Sequence, residues 1–166
     1  MDSYQIRRAT PADAQALAEA HRDSIQSLGP AFYPPKSVED WQEAIGPDLY
    51  LNAMNTGEVF FIAVRDGLVL GFSSDYVCEG TTHGTSVYVR GSAARQGIGS
   101  ALLRQAEAHA ADLGATAIEI DASLVGEDFY RTNGYIETGR GEARLTPGRT
   151  IACVFMRKRV VQPGAL

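Results

Sequence analysis

Residues 87–100 constrain the fold of this chain more than any other part of its sequence. They begin as an apolar strand, continue as a loop that contains Gly91, Gly97 and Gly99, and end where a helix starts. A helix start carries backbone N–H groups without internal partners and a partial positive charge. Glycines there let a phosphate approach the backbone, so the segment is suited to a pyrophosphate. The alternative is that the glycines only allow tight packing of the helix start.

Two common kinds of nucleotide site do not fit this loop. A P-loop needs Gly-Lys-Ser/Thr after its spacer, and no such run occurs in the sequence. A dinucleotide-binding fold needs a small residue three places after the second glycine, where this chain has Leu102. The loop also follows several predicted strands instead of opening the chain. The loop is therefore expected to bind a different phosphate-bearing ligand, or no phosphate at all.

The hydrophobic periodicity predicts an α/β fold. Strands are predicted at residues 4–8, 59–64, 68–77, 85–89, 117–120, 135–138 and 150–156. Helices are predicted at residues 14–28, 38–45, 98–113 and 124–132, with the Pro-rich residues 30–37 irregular and residues 80–84 turn-like. This order predicts a sheet of mixed direction with helices on both faces. The length of 166 residues fits a single domain over residues 1–166.

Composition narrows the class of protein further. The net charge of -5 argues against a general binder of nucleic acids. The sequence lacks the roughly 20 consecutive apolar residues of a membrane span, and residues 1–5 lack the features of a secretory signal. We therefore expect a cytoplasmic protein without a membrane or nucleic-acid partner. Cys78 and Cys153 lie far apart, which favours reduced thiols over a disulfide or a metal site.

The glycine segment resembles motif A of the GCN5-related N-acetyltransferase (GNAT) superfamily. That motif is a strand ending in Val-x-Pro, followed by Arg/Gln-x-x-Gly-x-Gly/Ala. Here the strand ends on Val89, and the loop ends on Gly97 and Gly99. Gly91 stands where the family often has proline, and Ala94 stands where it usually has arginine or glutamine. The family contacts the pyrophosphate mostly through backbone amides, and Arg95 offers a positive charge beside Ala94.

Residues 121–135 resemble motif B of the same superfamily. That motif is often Asn or Ser, then a Phe/Leu-Tyr pair, then Gly-Phe/Tyr. Phe129 and Tyr130 form the pair, Gly134 and Tyr135 follow at the family spacing, and Ser123 holds the place of the Asn or Ser. Residues 6–13 and 151–158 look like the family's first strand and helix and its last strand. The resemblance therefore covers most of the chain.

The resemblance implies a GNAT-like central mixed, mostly antiparallel sheet of about seven strands, flanked by helices on both faces. It also implies acetyl-coenzyme A as co-substrate, no metal, and direct attack by a primary amine in a ternary complex. The strand before the loop would splay from its neighbour and offer backbone N–H groups to the pantetheine arm and the thioester carbonyl. The implied coenzyme contacts are Val87, Tyr88, Val89, Arg95, Gln96, Gly97, Ile98, Gly99, Ser100 and Ser123.

The family tyrosine that matches Tyr130 often sits beside the coenzyme sulfur. Attack on a thioester expels a thiolate, and a phenol can protonate it. The resemblance therefore implies that Tyr130 is the general acid. The alternative is a tyrosine that packs its ring in the core and hydrogen-bonds a nearby group.

An ammonium substrate must lose a proton before it attacks, which calls for a general base. His83 is the candidate, because it lies six residues before Val89, in the region where the best-known histone acetyltransferases carry a catalytic glutamate. The alternative is a surface histidine in a turn. Glu119 and Asp121 are alternative bases that share one strand face. Asp75 and Glu79 are candidates for the lining of an acceptor pocket. His21 and His109 fall within predicted helices and are expected to be packing or surface residues.

Three functions remain open from the sequence: an active N-acetyltransferase, a non-catalytic coenzyme A-binding or regulatory module, and an unrelated nucleotide-binding protein. The retained Tyr130 favours the first, and the missing Arg or Gln at Ala94 favours the second. The acceptor, a small-molecule amine or a protein amine, would be set by residues 24–57 and 76–84. Their aromatic residues are candidates for a substrate wall or for the core: Phe32, Tyr33, Trp41 and Tyr50. Dimers are common in the family.

Overall fold

The computed structural model describes residues 3–146, 148–162 and 164. Its strands are β1 Gln5–Arg8, β2 Val59–Arg65, β3 Leu68–Glu79, β4 Thr82–Val89, β5 Ala117–Ser123, β6 Ile136–Thr146 and β7 Arg149–Arg159. In this described part they form one seven-stranded sheet in the order β1-β2-β3-β4-β5-β7-β6. Neighbouring strands are antiparallel except β4 and β5, which are parallel. The predicted mixed, mostly antiparallel sheet is confirmed.

Helices cover both faces of the sheet, as predicted. They are α1 Ala14–Leu28, α2 Pro35–Glu43, α3 Pro47–Asn55, α4 Ile98–Asp112 and α5 Glu127–Thr132. Side chains alternate between the faces of β2, so Phe60 and Ile62 pack with α1–α3. Phe61 and Ala63 pack instead with α4. A third cluster joins α4 and α5 to β5 and β7.

The first helix begins as the sequence predicts. Thr10 and Asp13 form a reciprocal capping box, in which the Asp13 carboxylate accepts a hydrogen bond from the Thr10 N–H at 2.8 Å. The same carboxylate binds the Arg7 guanidinium at 2.8 Å, which ties β1 to the helix. Arg7 and the Thr10 N–H lower the pKa of Asp13 to about 2.

The region between α1 and β2 differs from the prediction. The second helix begins at Pro35 instead of residue 38, and a third helix begins at Pro47, where the sequence analysis placed no element. A proline at the first helical position needs no N–H partner and has a suitable φ, so both prolines begin helices instead of interrupting them. Tyr50 of α3 is buried in the core.

Several further boundaries differ from the predicted ones. Residues 80–84 are not one turn, because β4 already begins at Thr82. Helix α5 begins at Glu127, after a turn at residues 124–126, and not at residue 124. The last two strands extend well beyond the predicted ranges, because they pair with each other from Ile136–Arg157 to Thr146–Arg149. Pairing between strands sustains them where the apolar pattern is weak.

His21 is a packing residue, as the sequence analysis expected. Its ring lies 3.7 Å from the Tyr88 ring, centroid to centroid, and its Nδ1 atom lies 2.6 Å from the Tyr50 hydroxyl. Its Nε2 atom is buried without a hydrogen-bond partner among the described residues. Burial disfavours the charged imidazolium and lowers the pKa of His21 to about 3.

This burial makes the stability of the fold depend on pH. Between about pH 6.5 and pH 3 the unfolded chain protonates at residue 21 and the folded chain does not. The free energy of unfolding should therefore fall with falling pH, by up to about 1.4 kcal/mol per pH unit from this group. A His21→Phe variant should show a shallower fall, measured by urea unfolding at several pH values. Equal slopes in the two proteins would show that His21 is not held neutral.

Candidate active site

A cleft opens where β4 and β5 separate. The two strands pair only from Thr82–Ala117 to Gly84–Glu119. Beyond that point β4 continues against β3 as far as Val89, while β5 continues against β7. The cleft between them has a volume of about 640 Å³ and is lined by residues from α1, α2, β3–β5, α4 and α5. This is the splay that the family resemblance implies.

The open edge of β4 presents backbone donors to the cleft. The N–H of Arg90 points to β3, because it donates to the Leu70 carbonyl at 2.8 Å. Successive N–H groups of a strand point to opposite edges. The N–H groups of Val87 and Val89 therefore point away from β3, into the gap. Two parallel donors on one strand edge can bind a carbonyl or an extended amide-containing chain.

The glycine loop brings the start of α4 to one end of the cleft. Gly97 caps the helix with φ 82°, and Arg95 has φ 60°, so both lie in the left-handed region. A non-glycine residue there is uncommon and is concentrated at functional sites. Gly99 and Ser100, in the first turn of this 15-residue helix, line the cleft. The free N–H groups of that turn and the helix dipole favour an anion.

The departure from the family pattern at Gly91 has a structural reason. Its N–H donates to the Asp23 carboxylate of α1 at 2.9 Å. A proline has no N–H, and a Cβ atom at this position would overlap the Ser27 side chain. The neighbouring Arg90 lies 3.6 Å from the same carboxylate and donates to the Val69 carbonyl at 2.7 Å. These contacts fix the start of the loop against α1.

Most of the predicted coenzyme residues meet in this cleft. Its lining includes Val87, Tyr88, Val89, Arg95, Gly97, Gly99, Ser100 and Ser123. The side chains of Gln96 and Ile98 are not part of it. The Gln96 amide donates to the Ser92 carbonyl at 3.1 Å, and Ile98 is buried in the core beneath α4. Ala94 lines the cleft beside Arg95, whose guanidinium is the one cationic side chain among the described lining residues.

Tyr130 lies in the gap between the two strands. Its ring is buried, and it packs with Ile120 of β5 and with the ring of Tyr135, 5.5 Å away between centroids. Burial raises the pKa of Tyr130 well above its ordinary value. The backbone of Val87, at the open edge of β4, lies near the Tyr130 hydroxyl and lowers the pKa by a smaller amount. Its hydroxyl is therefore protonated at neutral pH and available as a donor.

His83 is neither in a turn nor in the cleft. It lies within β4, it is buried, and its side chain is on the α4 side of the sheet. Its Nδ1 atom donates to one oxygen of Asp75 at 2.6 Å, and the Nδ1 atom of His109 donates to the other oxygen at 2.7 Å. The carboxylate thus joins β3, β4 and α4. Neither His83 nor Asp75 lines the cleft, so the structure does not bring these residues to the predicted site.

Among the alternative acidic residues, Asp121 reaches the cleft. Ile120 and Ala122 point into the core beneath α4 and α5, so Asp121 points to the opposite face, where it lines the cleft and is exposed. Glu119 shares that face but forms an ion pair with Arg157 of β7. Glu79 is exposed at the end of β3 and is not part of the lining.

The cleft also includes residues that the sequence analysis missed. Ser24, Ile25 and Leu28 of α1 line it, and they have the ordinary apolar spacing of an amphipathic helix. Tyr76 lines it too, with its ring over Gly84, where a Cβ atom would overlap the ring. Of the four aromatic candidates, Phe32 and Trp41 line the cleft, while Tyr50 is in the core.

Tyr33 connects two other segments behind the cleft through hydrogen bonds of its hydroxyl. Its hydroxyl donates to the Ala152 carbonyl of β7 at 2.6 Å and accepts from the Leu124 N–H at 2.8 Å. The loop after α1 is thereby attached to the turn that leads from β5 into α5. Tyr33 is therefore a structural residue behind the cleft and not part of its described lining.

No group of three or more His, Cys, Asp or Glu side chains within residues 3–146, 148–162 and 164 could hold a metal ion. No helix of the same described part is long and apolar enough to cross a membrane.

The architecture and the cleft agree with comparisons to known proteins. A family model described as an acetyltransferase (GNAT) domain matches residues 31–159. The chain therefore belongs to the GNAT acetyltransferase family. No curated protein matches the chain.

Solved structures share the whole fold. A GCN5-related N-acetyltransferase from Rhodopseudomonas palustris is 26% identical with a TM-score of 0.82, over 96% of this chain and 97% of that one. PaiA N-acetyltransferase from Thermoplasma acidophilum, in complex with coenzyme A, is 22% identical with a TM-score of 0.77, over 95% and 99%. YncA from Salmonella typhimurium, a putative acetyltransferase with acetyl-coenzyme A, is 20% identical with a TM-score of 0.72, over 99% and 98%.

The position of the glycine loop gives a direct test of the coenzyme site. A Gly97→Glu variant should weaken binding of acetyl-coenzyme A by about 100-fold, because it adds bulk and negative charge beside the helix start. Isothermal titration calorimetry measures this affinity.

Gly114, at the other end of α4, provides the matched control. It has φ 85° and open space around its Cα atom, as Gly97 has, but it does not line the cleft. Gly114→Glu should cause the same backbone strain and leave the affinity unchanged. If both variants fold and bind acetyl-coenzyme A equally well, the phosphates bind elsewhere.

Proposed function

We propose that this protein transfers the acetyl group of acetyl-coenzyme A to a primary amine, which attacks the thioester directly. One arrangement supports this most strongly: a protonated tyrosine hydroxyl and the backbone N–H of Val87 meet in the gap between β4 and β5. A thioester in that gap has a donor for its carbonyl oxygen and a proton source for its sulfur. The family assignment and two neighbours with bound coenzyme agree with this co-substrate.

The coenzyme would bind with its pyrophosphate at the glycine loop and its pantetheine arm further inside the cleft. Its pyrophosphate would bind the first turn of α4, with Arg95 as the nearby cation. Its pantetheine amides would bind the open edge of β4 as an additional strand does. The acetyl carbonyl would then accept hydrogen bonds from that edge and become more electrophilic as negative charge develops on its oxygen.

The expected reaction replaces the C–S bond of the thioester with a C–N bond. The amine nitrogen forms a bond to the acetyl carbon, and the C–S bond breaks as the tetrahedral intermediate collapses. The departing sulfur takes the proton of the Tyr130 hydroxyl. A substrate that arrives as an ammonium gives up two protons in all: one leaves to solvent, and the other restores the proton to Tyr130. The products are an N-acetyl amine and coenzyme A.

Asp121 is the proposed acceptor of the first proton, directly or through water. It is exposed, it lines the cleft, and it lies on the face of β5 opposite the Tyr130 ring. Donor and acceptor thus lie on opposite sides of the thioester position, so one proton can leave the amine while another reaches the sulfur. His83 is not proposed for this role, because its imidazole is buried against Asp75 on the α4 side.

Removing the Tyr130 hydroxyl tests the general-acid role. Tyr130→Phe should lower kcat by about 100-fold, because the thiolate would leave unprotonated. The affinity for acetyl-coenzyme A should change little, since the ring still packs against Ile120. The measurement is steady-state release of free thiol, together with calorimetric titration of the coenzyme.

Tyr135→Phe is the matched control, because Tyr135 is a neighbouring buried tyrosine whose hydroxyl has no partner among the described residues. It should keep full activity. Equal kcat in Tyr130→Phe and the wild type would remove the proton-donor role. Coenzyme binding without turnover of any amine by the wild type would instead favour a non-catalytic coenzyme A-binding module.

Asp121→Asn tests the proton acceptor. It should lower kcat/KM for the amine by about tenfold at pH 7, and the loss should shrink at higher pH as more amine is already neutral. Glu119→Gln, two residues earlier on the same strand face, should have little effect because Glu119 pairs with Arg157. A larger loss in Glu119→Gln than in Asp121→Asn would reverse this assignment.

A further inference from the structure

The cleft has two chemically different halves. One half lies on the α4 side, with the glycine loop and Arg95. The other half, which we call the acceptor chamber, lies on the α1 side and is walled by Ile25, Leu28, Phe32, Trp41, Tyr76 and Asp121. The acceptor must approach from this second half, because the coenzyme would occupy the first.

The walls of the acceptor chamber are mainly aromatic and aliphatic. Trp41 is 5% exposed and forms its rigid back, with edge-to-face contacts to the rings of Tyr33 and Tyr88 at 5.7 and 6.2 Å between centroids. Phe32, in contrast, is 51% exposed although its side chain is large and apolar. Tyr76, which also lines the cleft, is 38% exposed. An exposed aromatic wall within a cleft is typical of a site that an apolar group covers.

Asp121 is the carboxylate among the residues that wall the chamber. Burial of the hydroxyl raises the pKa of Tyr76, and negative charge nearby, from Cys78, Glu58 and Asp121, raises it further. Among the described residues that line the cleft, the cationic Arg95 is on the coenzyme loop and no cation lies in the chamber. A carboxylate on the acceptor would therefore lack a counter-charge. A second ammonium group would find no further carboxylate among the wall residues, and the aromatic faces there are a weaker partner than a carboxylate.

From these observations we infer that the acceptor is a primary monoamine carried on an aromatic or aliphatic group, and not an amino acid, a polyamine or a peptide N-terminus. This inference rests on the proposed function. The ammonium lies beside Asp121, where it loses its proton, and the apolar group lies between Phe32 and Trp41. The product is an N-acetyl arylalkylamine or N-acetyl alkylamine, which is neutral and is released more easily from the carboxylate.

The experiment compares four classes of amine in thiol-release assays with saturating acetyl-coenzyme A. Phenylethylamine and hexylamine represent the proposed class, and spermidine, glutamate and an alanine-terminated peptide represent the others. The value of kcat/KM should be about tenfold or more higher for phenylethylamine and hexylamine, because only they bury apolar surface in the chamber. A preference for spermidine, glutamate or the peptide would overturn the inference.

A pair of variants connects the preference to the chamber wall. Phe32→Ala should raise KM for phenylethylamine by about tenfold and leave KM for acetyl-coenzyme A unchanged. Leu68→Ala is the matched control, because Leu68 is 47% exposed but lies on the β2–β3 hairpin, away from the cleft. An unchanged KM in Phe32→Ala, or an equal rise in both variants, would overturn the inference.

A binding measurement separates this inference from the proposed reaction. Each amine is titrated by calorimetry into the protein saturated with coenzyme A, which needs no turnover. If no amine is acetylated but phenylethylamine binds more tightly than spermidine and glutamate, the acceptor class stands and the proposed transfer fails. If phenylethylamine does not bind, or binds more weakly than those two, the acceptor class is wrong whatever the activity.

Discussion

The separation of β4 from β5 is the feature on which the rest of the site depends. Their parallel pairing ends at Gly84 and Glu119, and the free edge of β4 begins there. The Tyr130 ring fills the gap from the α5 side and packs on Ile120, so the strands cannot close again without displacing a buried aromatic side chain. An unpaired strand edge inside a sheet is costly unless a ligand satisfies it. That cost explains why such an edge indicates a binding site.

Beyond Gly84, strand β4 has no partner strand on its β5 side. Contacts with β3, α4 and α1 hold it in place instead. It pairs with β3 along its whole length, and the Asp75 carboxylate accepts hydrogen bonds from His83 and His109 just where β5 departs. At its far end Arg90 and Gly91 bind the Asp23 carboxylate of α1. The polar groups in these contacts all have partners, and those of Asp75 and His83 are buried, so they stabilise a specific geometry. The His83 side chain thus supports the strand that borders the cleft and does not line the cleft itself.

Local signals were sufficient to predict which glycines and which tyrosine line the cleft. The glycines at positions 97 and 99 and the pair Phe129-Tyr130 act through the backbone next to them, so their spacing along the chain reflects their spacing in the structure. Helix α1 and the succession of strands along the chain followed from apolar periodicity for the same reason. The third helix was missed because its start signal is a proline, which also occurs in loops.

The remaining errors concern contacts between distant residues. Gly80 and Gly84 made residues 80–84 look like a turn, but Gly84 is a strand residue that leaves room for the Tyr76 ring. The pairing of Asp75 with His109 spans 34 positions and follows no local pattern. The acceptor chamber is assembled from α1, α2, β3 and β5, whose cleft-lining residues have the same spacing as core residues. Only the fold shows which of them face an open space.

A crystal structure of the protein with acetyl-coenzyme A tests the central claim most directly. The account predicts the pantetheine arm along the open edge of β4, with the acetyl oxygen about 3 Å from the N–H of Val87 or Val89. The sulfur should lie beside the Tyr130 hydroxyl, and the acetyl group should face Asp121 and the acceptor chamber. A coenzyme bound outside the gap between β4 and β5, or with its sulfur away from Tyr130, would contradict the account.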